Sequence, residues 1–518
     1  MNLLRAAATV SGLTLLSRLT GLIRENLIAT VFGASALTDA FFVAFRLPNM
    51  LRRLFAEGAF SQAFVPMLAQ HRVQARDVPA DAARHFIDNA AGALVWALIL
   101  ITALGAAGAP ILVWLMASGL AADEQAHAAA ITMTRFMFPY ILLISLVALS
   151  AGILNTWKRF AVPAFTPVLL NLAMILAAWF LAPRLDPPVY ALAAGVMVGG
   201  VAQLAIQIPA LARIGMLPRP RLNPFGAFSD PEVRSMLARM GPAVLAVSVA
   251  QVSLVINTHI ASRLTAGSVS WVSYGDRLME FPTALLGVAL GTVLLPALAS
   301  AREQDDHRRY SDMLDWGLRL CVLLAVPSTV GLALMAEPLT ALLFHYGRFT
   351  THDLQMTSMA VLAYSLGLVG LIAVKVLAPG FYAQQDIRTP VRIALSVLVT
   401  TQLLNLVFVP WLAHAGLALS ISVAAWINAA LLLRGLVQRG SYRPSPGWAG
   451  FAVKIMLAAL IMAAGLITLV PQVDWVAMQA TPWLRLATGL GLVAGAAVLY
   501  LGVLFVAGIR PRHFLRRD

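Results

Sequence analysis

The amino-acid sequence predicts an all-α polytopic membrane protein with about fourteen transmembrane helices. Of its 518 residues, 60% are hydrophobic and 12% are charged. Soluble proteins are about 45–50% apolar and about 25% charged. Apolar segments of about 20 residues, the length that crosses a hydrocarbon core, recur along the whole chain. Together these observations exclude an ordinary soluble enzyme, a disordered chain and a fibrous protein.

The apolar segments are taken as spans in chain order. The first retains Arg18 and Arg24 before it ends, which predicts a permanent helix rather than a removable signal. Cys321, the single cysteine, lies in a later apolar segment, so it excludes an intrachain disulfide and is expected to be buried. The approximate limits of the predicted spans are 8–31, 37–64, 87–117, 131–155, 163–182, 189–212, 237–264, 270–299, 316–343, 355–378, 390–411, 415–436, 449–471 and 485–508.

The distribution of positive charge predicts the orientation. The formal net charge is +14, from 37 Lys and Arg against 23 Asp and Glu. Because these cations lie between apolar segments, they favour cytoplasmic loops facing anionic membrane lipids over nucleic acid binding. With the N-terminus in the cytoplasm, inner loops hold 24 cations and outer segments hold 4. Both termini are therefore predicted to be cytoplasmic. The four outer cations are Arg184, Arg263, Arg348 and Arg485.

Three residue pairs at a nearly constant offset predict an internal duplication. Arg46 and Arg277 differ by 231 positions, Pro66 and Pro296 by 230, and Pro163 and Pro390 by 227. Such a repeat is typical of transporters built from two six-helix lobes around a central cavity. The predicted units are an N-terminal lobe 1–215, a cytoplasmic linker 216–235, a C-terminal lobe 236–438, and two additional helices with a basic tail, 439–518.

Charged residues inside the predicted spans are the most informative feature, because an intramembrane charge is costly and usually functional. Nine cations lie within or at the ends of the spans, and two of them, Arg135 and Arg319, are set aside because they start their helices and can extend to an interface. The other seven exceed the five acidic residues among which they lie by two, which predicts a water-filled cavity that binds an anion. Arginine is well suited to bind a phosphate, because its planar guanidinium stays charged and can donate hydrogen bonds to two phosphate oxygens at once. The cations are Arg18, Arg24, Arg46, Arg52, Arg53, Arg277 and Lys375, and the acidic residues are Glu25, Asp39, Glu57, Asp276 and Glu280.

Several of these charges have a second interpretation. Arg18 and Glu25 are seven residues apart, which predicts that they share one helix face. Arg46 is seven residues after Asp39 and is expected to form an ion pair with it rather than contact a ligand. Arg52, Arg53 and Glu57 lie either in the cavity or at the inner membrane interface. Lys375 lies near an inner helix end, so it either faces the cavity or extends to the interface.

The sequence contains no motif for metal binding, ATP binding or nucleophilic catalysis. Its nine histidines have no metal-ligand spacing, and His259, the only one deep in a span, is expected to be structural. It contains neither a phosphate-binding loop for ATP nor a nucleophile elbow. We therefore expect no metal, no cofactor and no enzymatic activity.

Several motifs resemble the MurJ (MviN) family of lipid II flippases, in the superfamily of multidrug, oligosaccharidyl-lipid and polysaccharide exporters. The resemblance covers about residues 5 to 510, and its charged motifs are specific to the family. The matching motifs are Gly21-Leu-Ile-Arg24-Glu-Asn, Phe32-Gly, Asp39-Ala-Phe, Leu47-Pro-Asn49, Arg52, Glu57-Gly-Ala, Phe64-Val-Pro66, Gly152-Ile-Leu-Asn155, Pro163-Ala-Phe-Thr-Pro167, Asp276-Arg277-Leu-Met-Glu280-Phe-Pro282, and Phe381-Tyr-Ala with Asp386 and Thr389-Pro390.

This resemblance implies a function and a set of site residues. The function is translocation of lipid II, the undecaprenyl-pyrophosphate-linked peptidoglycan precursor, from the inner to the outer leaflet of the bacterial cytoplasmic membrane by alternating access. The substrate-binding residues implied are Arg18, Arg24, Arg52 and Arg277. The cavity or gating residues implied are Asp39, Asn49, Glu57, Asp276 and Glu280.

The expected partners are lipid II, membrane lipids and cell-wall synthesis proteins, and transport is expected to be coupled either to the membrane potential or to a monovalent cation.

Other functions remain open on the residues alone. An exporter of another polyprenyl-pyrophosphate-linked glycan would use the same arginines. A multidrug exporter of cations would favour acidic cavity residues. A membrane glycosyltransferase or phosphatase, and a scaffold for cell-wall assembly, are the alternatives from other classes.

Overall fold

The computed structural model describes residues 3–52, 60–74, 81–221, 223–284 and 289–510, and within them every regular element is a helix. Fold class and apolar character thus agree with the prediction. In chain order the helices are α1 Leu3–Phe32, α2 Ala36–Arg52, α3 Ser61–Gln74, α4 Asp81–Ala107, α5 Ala109–Ala117, α6 Glu124–Met137, α7 Tyr140–Thr156, α8 Ala161–Phe180, α9 Tyr190–Arg213, α10 Pro224–Ser229, α11 Pro231–Ser262, α12 Ser268–Pro282, α13 Ala289–Glu303, α14 His307–Leu334, α15 Ala336–Phe344, α16 Thr351–Ser365, α17 Leu368–Tyr382, α18 Arg388–Gln438, α19 Trp448–Leu469 and α20 Pro482–Val506.

The helices form two compact units, Met1–Val269 and Ser270–Asp518. Within the first unit, α1 packs on α8, α8 on α9, and α11 on α3, α4 and α5. Within the second unit, α14 packs on α13, α17 and α19, and α18 packs on α16 and α17. The lobe boundaries that the sequence predicts, with the linker at 216–235, stay predictions.

Eight helices among the described residues are long and apolar enough to cross a membrane, or nine if α16 and α17, which meet at a 42° bend, form one span. The exact number of fourteen spans stays a prediction. The predicted spans 390–411 and 415–436 both fall within α18, which is interrupted at Ala413, where φ is 48° and ψ is −126°. The backbone therefore breaks in the short interval that separates the two predicted spans.

In the first unit, small residues bring α9 close to its neighbours. A Cβ atom on Gly195 would lie 2.8 Å from Cα of Met174 on α8, and one on Gly200 would lie 2.7 Å from the Tyr140 ring on α7. Small residues allow such close backbone packing where no hydrophobic effect drives helices together. This packing fixes α8, which contributes a residue to the site described below.

In the second unit, the carboxylate of Asp315 attaches the start of α19 and the segment before it to α14. Asp315 is 4% exposed and accepts hydrogen bonds from Arg319 Nε at 2.8 Å, Tyr442 Oη at 2.9 Å, Trp448 Nε1 at 2.6 Å and the Ser445 backbone N–H at 3.1 Å. A buried charge is stable only when its hydrogen-bonding capacity is used in this way. The segment that precedes α19 is thus held against α14.

A buried arginine makes a second attachment. Arg485, on α20, is 0% exposed and donates to the carbonyl oxygen of His345 at 3.2 Å, while its guanidinium lies 3.3 Å from Nδ1 of the same histidine. Its guanidinium carbon lies 5.4 Å from the centre of the Tyr346 ring. The sequence placed Arg485 in an outer segment, whereas the structure buries it, because the loop after α15 supplies an acceptor and an aromatic ring.

Burial, and after it the positive charge of Arg485, lower the pKa of His345 below its usual value, while the carboxylate of Asp353 acts in the opposite direction. His345 lies in the loop between α15 and α16, and its Nε2 is 3.4 Å from the hydroxyl of Thr351. The neutral imidazole is therefore the form that the folded loop accommodates.

The close packing of α17 on α18 can be tested at Gly370. A Cβ atom there would lie 2.8 Å from backbone atoms of Ala425 and Trp426. We expect Gly370→Ala to lower the free energy of unfolding by about 1–3 kcal/mol through overpacking. Gly331→Ala, on α14, is the matched control, because a Cβ atom at that position meets nothing within 4 Å. Thermal unfolding in detergent measures both; equal Tm values for the two variants would contradict the close approach.

The His345 contact predicts a pH dependence of stability. Because the folded chain holds His345 neutral, the unfolded chain binds more protons below about pH 6.5. The free energy of unfolding should therefore fall as the pH drops below that value. His345→Gln retains an acceptor without a titrating group, so Tm should decrease less between about pH 7.5 and about pH 5.5 than in the wild type. His307→Gln, at an imidazole with a 68% exposed side chain, should leave the decrease unchanged.

Candidate functional site

Arg24 is the most buried of the predicted substrate-binding arginines that the structure describes. It lies on α1, is 9% exposed, and donates hydrogen bonds to Glu25 Oε1 and, at 3.0 Å, to Asn171 Oδ1 on α8. Glu25 is 4% exposed, so the ion pair is desolvated. Nη1 of Arg24 also lies 3.9 Å from Sδ of Met174 on α8, so the guanidinium is held at the interface of two helices by a carboxylate, an amide oxygen and a weakly accepting thioether.

One donor of Arg24 is still available. Its Nε–H is buried and has no acceptor within the described ranges. Leaving a buried donor on a charged group unsatisfied is costly, because the group has lost its hydration without gaining a bond. The Nε–H of Arg24 can therefore donate a further hydrogen bond, and the positive charge of the guanidinium favours an anionic oxygen as its acceptor.

Arg18 lies on the same helix in a different environment. It is exposed, and it forms neither a hydrogen bond nor an ion pair with any residue that the structure describes. Glu25, seven positions later and on the same predicted face, is buried and pairs with Arg24 instead. Arg18 is therefore the more accessible cation of α1.

Arg52 and Asn49 form a local pair at the end of α2. Arg52 Nε donates to Asn49 Oδ1 at 2.9 Å, and both side chains are half-buried. Tyr140, at the start of α7, lies within electrostatic range of both Arg52 and Arg24. Two of the predicted arginines therefore act on the same part of the first unit. Arg53 and Glu57, also predicted here, lie outside the described residues.

Asp39 and Arg46 connect α2 to α11 and to the turn that follows it. Asp39 is 3% exposed and accepts from the backbone N–H of Gly267 at 2.8 Å. Arg46 donates to the hydroxyl of Thr258 on α11. The predicted ion pair between Asp39 and Arg46 stays a prediction. Gly267 has a φ of 95°, a conformation that glycine adopts readily, and this turns its N–H towards the carboxylate.

The second unit places its predicted site residues on one exposed face of α12. Arg277 Nη1 lies 2.7 Å from Glu280 Oε2, with side-chain exposures of 41% and 47%, and Asp276 is also exposed. The opposite face buries Trp271 and Tyr274. The exposed face of α12 therefore carries the positive charge of Arg277 beside the negative charges of Asp276 and Glu280. Lys375, on α17, is exposed as well.

Asn171 is the site residue that sequence reasoning missed. It is 6% exposed, and its Nδ2 donates to the Ser17 carbonyl at 3.0 Å and to the Thr20 hydroxyl at 3.1 Å. The available signal was an amide in an otherwise apolar span, since a buried amide requires hydrogen-bond partners.

Two further expectations agree with the structure. His259 has a structural role, since its Nδ1 lies 2.8 Å from the Leu115 carbonyl and its Nε2 lies 3.3 Å from the Ser118 hydroxyl. Cys321 is buried. Among the residues that the structure describes, no group of His, Cys, Asp and Glu side chains is arranged to hold a metal ion.

Comparison with solved structures shows which proteins share this fold. A lipid II flippase MurJ in an inward closed conformation matches with a TM-score of 0.77 at 24% identity, over 96% of this chain and 99% of the other. An inward-facing multidrug resistance MATE family transporter of the MOP superfamily matches with a TM-score of 0.67 at 15% identity, over 84% and 98%. The fold is therefore similar to that of these membrane transporters.

Sequence comparison then defines the family. The family model described as lipid II flippase MurJ matches residues 28–483. A lipid II flippase MurJ of Burkholderia cenocepacia is 55% identical over 517 residues, covering 100% of both chains. A probable lipid II flippase MurJ of Vibrio cholerae is 39% identical, covering 98% of this chain and 97% of the relative. The chain belongs to the lipid II flippase MurJ family. It is a multi-pass inner-membrane transporter and not an enzyme.

The Arg24–Glu25 and Arg277–Glu280 ion pairs should differ in their contribution to stability. Glu25→Gln leaves the buried Arg24 guanidinium without a counter-charge, so we expect the free energy of unfolding to fall by about 3 kcal/mol. Glu280→Gln removes the same charge from an exposed pair at i,i+3 spacing and should cost less than about 1 kcal/mol. Thermal unfolding in detergent compares the variants; a larger loss for Glu280→Gln would contradict the difference in burial.

Proposed function

We propose that this chain translocates lipid II from the inner to the outer leaflet by alternating access. The observation that carries the proposal is Arg24, a buried cation of a MurJ-family chain whose Nε–H has no acceptor among the residues that the structure describes. A pyrophosphate headgroup cannot cross hydrocarbon, because an unpaired charge there costs many kcal/mol. Arg18, Arg24, Arg52 and Arg277 replace its water of hydration, while the polyprenyl tail stays in lipid.

The membrane potential supplies a driving force in this mechanism. With the cytoplasm negative, outward movement of about two negative charges is favoured by roughly 4–5 kcal/mol per 100 mV. Transport therefore needs no ATP, and coupling to a monovalent cation is the alternative. The proposed topology places both termini in the cytoplasm, as the 24 inner-loop cations favour. Membrane lipids surround the protein. We also propose cell-wall synthesis proteins as partners, because they produce and consume the substrate.

Translocation by purified protein in vesicles tests the proposal. Fluorescent lipid II should move between leaflets faster under an imposed potential than without one. Arg24→Ala and Arg277→Ala should each slow movement at least about tenfold, since each removes a charged contact to the headgroup. Arg184→Ala is the control, because Arg184 is an exposed cation bonded to the Phe180 carbonyl and belongs to none of the charged motifs.

The outcomes separate the alternatives. Wild-type rates in both Arg24→Ala and Arg277→Ala would eliminate the cationic site. Equal transport of other polyprenyl-pyrophosphate glycans would widen the substrate class, and movement of cationic drugs alone would favour a multidrug exporter. A purified chain that moved no labelled precursor under a potential would favour a scaffold.

A further inference from the structure

We propose that Asn171 is a positioning residue for Arg24, holding its guanidinium in the orientation that binds a diphosphate oxygen. The inference rests on the proposed function and deepens it. Asn171 lies on α8, 147 positions from Arg24, and belongs to none of the charged motifs. It is joined to α1 by three hydrogen bonds, to Arg24, Ser17 and Thr20.

The chemistry of the partners fixes the orientation of the Asn171 amide. A guanidinium has only donors, so the atom 3.0 Å from Arg24 Nη1 must be the carbonyl oxygen. A backbone carbonyl has only acceptors, so the atom 3.0 Å from the Ser17 oxygen must be the amino group. The carbonyl oxygen of Asn171 therefore bonds the Arg24 side chain, and its amino group bonds the backbone of the same helix. Together the two bonds fix the guanidinium relative to α1.

The two oxygen acceptors of Arg24 differ in charge. Glu25 is an anion and competes directly with a diphosphate for the guanidinium. Asn171 is neutral, so it restrains the guanidinium without cancelling its charge. Binding of a diphosphate can therefore displace Glu25 while the bond to Asn171 remains. The Nε–H of Arg24, which has no acceptor in the described part of the chain, is then held ready for an anionic oxygen.

Loss of Asn171 should act on binding through Arg24. Without the amide, the guanidinium can turn towards Glu25, and ordering it again for the substrate costs affinity. We expect Asn171→Leu, which preserves side-chain size but removes both hydrogen-bonding groups, to raise the half-saturating concentration of lipid II about tenfold.

Two measurements test this expectation with purified full-length protein. The first is the rate of movement of fluorescent lipid II in vesicles as a function of its concentration. The second is binding of radiolabelled inorganic diphosphate in detergent, which requires no translocation. Gln207→Leu is the matched control, because Gln207 is a fully buried amide on α9 that bonds the Val147 carbonyl at 3.2 Å. It should leave both constants unchanged.

A double-mutant cycle separates positioning from general stability. In an Arg24→Ala background, Asn171→Leu should weaken diphosphate binding no further, since the group it positions is gone. An additive loss in that background would overturn the inference, because Asn171 would then act independently of Arg24. Wild-type binding constants in Asn171→Leu would also overturn the inference. An absence of diphosphate binding by the wild-type chain would overturn it as well. Failure of lipid II movement with normal diphosphate binding would instead count against the proposed function alone.

Thr20→Val provides a second variant that is close in shape to the wild type. The Thr20 hydroxyl accepts from Asn171 Nδ2 at 3.1 Å, and its loss loosens the amide without touching Arg24. We expect diphosphate binding about threefold weaker, with no additional loss when Thr20→Val is combined with Asn171→Leu. Diphosphate binding by Thr20→Val tests the positioning role of Asn171 even where Asn171→Leu does not fold. Wild-type binding by Thr20→Val would overturn the inference.

Discussion

The structure depends on one constraint: a charge inside an apolar helical protein must find partners, and those partners usually lie on another helix. Arg24 meets Asn171 across α1 and α8, and Asp315 meets Trp448 across α14 and α19. Arg485 meets His345 across α20 and the loop after α15. Because apolar contacts between helices discriminate weakly in lipid, these polar contacts supply much of the specificity of packing within each unit.

The same constraint distinguishes structural charges from binding charges. Asp315 accepts four hydrogen bonds, and its partners close the segment before α19 over it, so it has little capacity for a ligand. Arg24 is comparably buried, but its Nε–H has no acceptor in the described ranges. A charge whose hydrogen-bonding capacity is fully used fixes a fold, whereas a charge with an unused donor can also bind a partner that arrives later. Arg485 combines both features, since it contacts His345 while its Nε is buried without an acceptor in the described ranges. Burial alone would have ranked Asp315 and Arg24 equally.

The sequence predicted what depends on length and composition, and it missed what depends on which helices meet. The apolar segments predicted helices, and they also predicted the interval near Ala413 at which α18 is interrupted. Both predictions succeed because the length of an apolar segment is a local property of the sequence. Helical spacing grouped Glu25 with Arg18, yet Glu25 pairs with its neighbour Arg24. Asn171 and Arg485 could not be assigned, since periodicity gives the rotation of a residue about its own helix and not the helix opposite.

In the proposed role, the carboxylate of Glu25 solves a problem that a purely cationic site would create. Several uncompensated arginines would hold a diphosphate so tightly that release would limit transport, because each charged hydrogen bond strengthens in a desolvated site. An internal anion that competes for Arg24 lowers this affinity and re-forms its ion pair as the substrate leaves. A neutral amide in its place would lose that exchange. The site therefore needs one acceptor of each kind: Asn171 to preserve the geometry of Arg24, and Glu25 to make binding reversible.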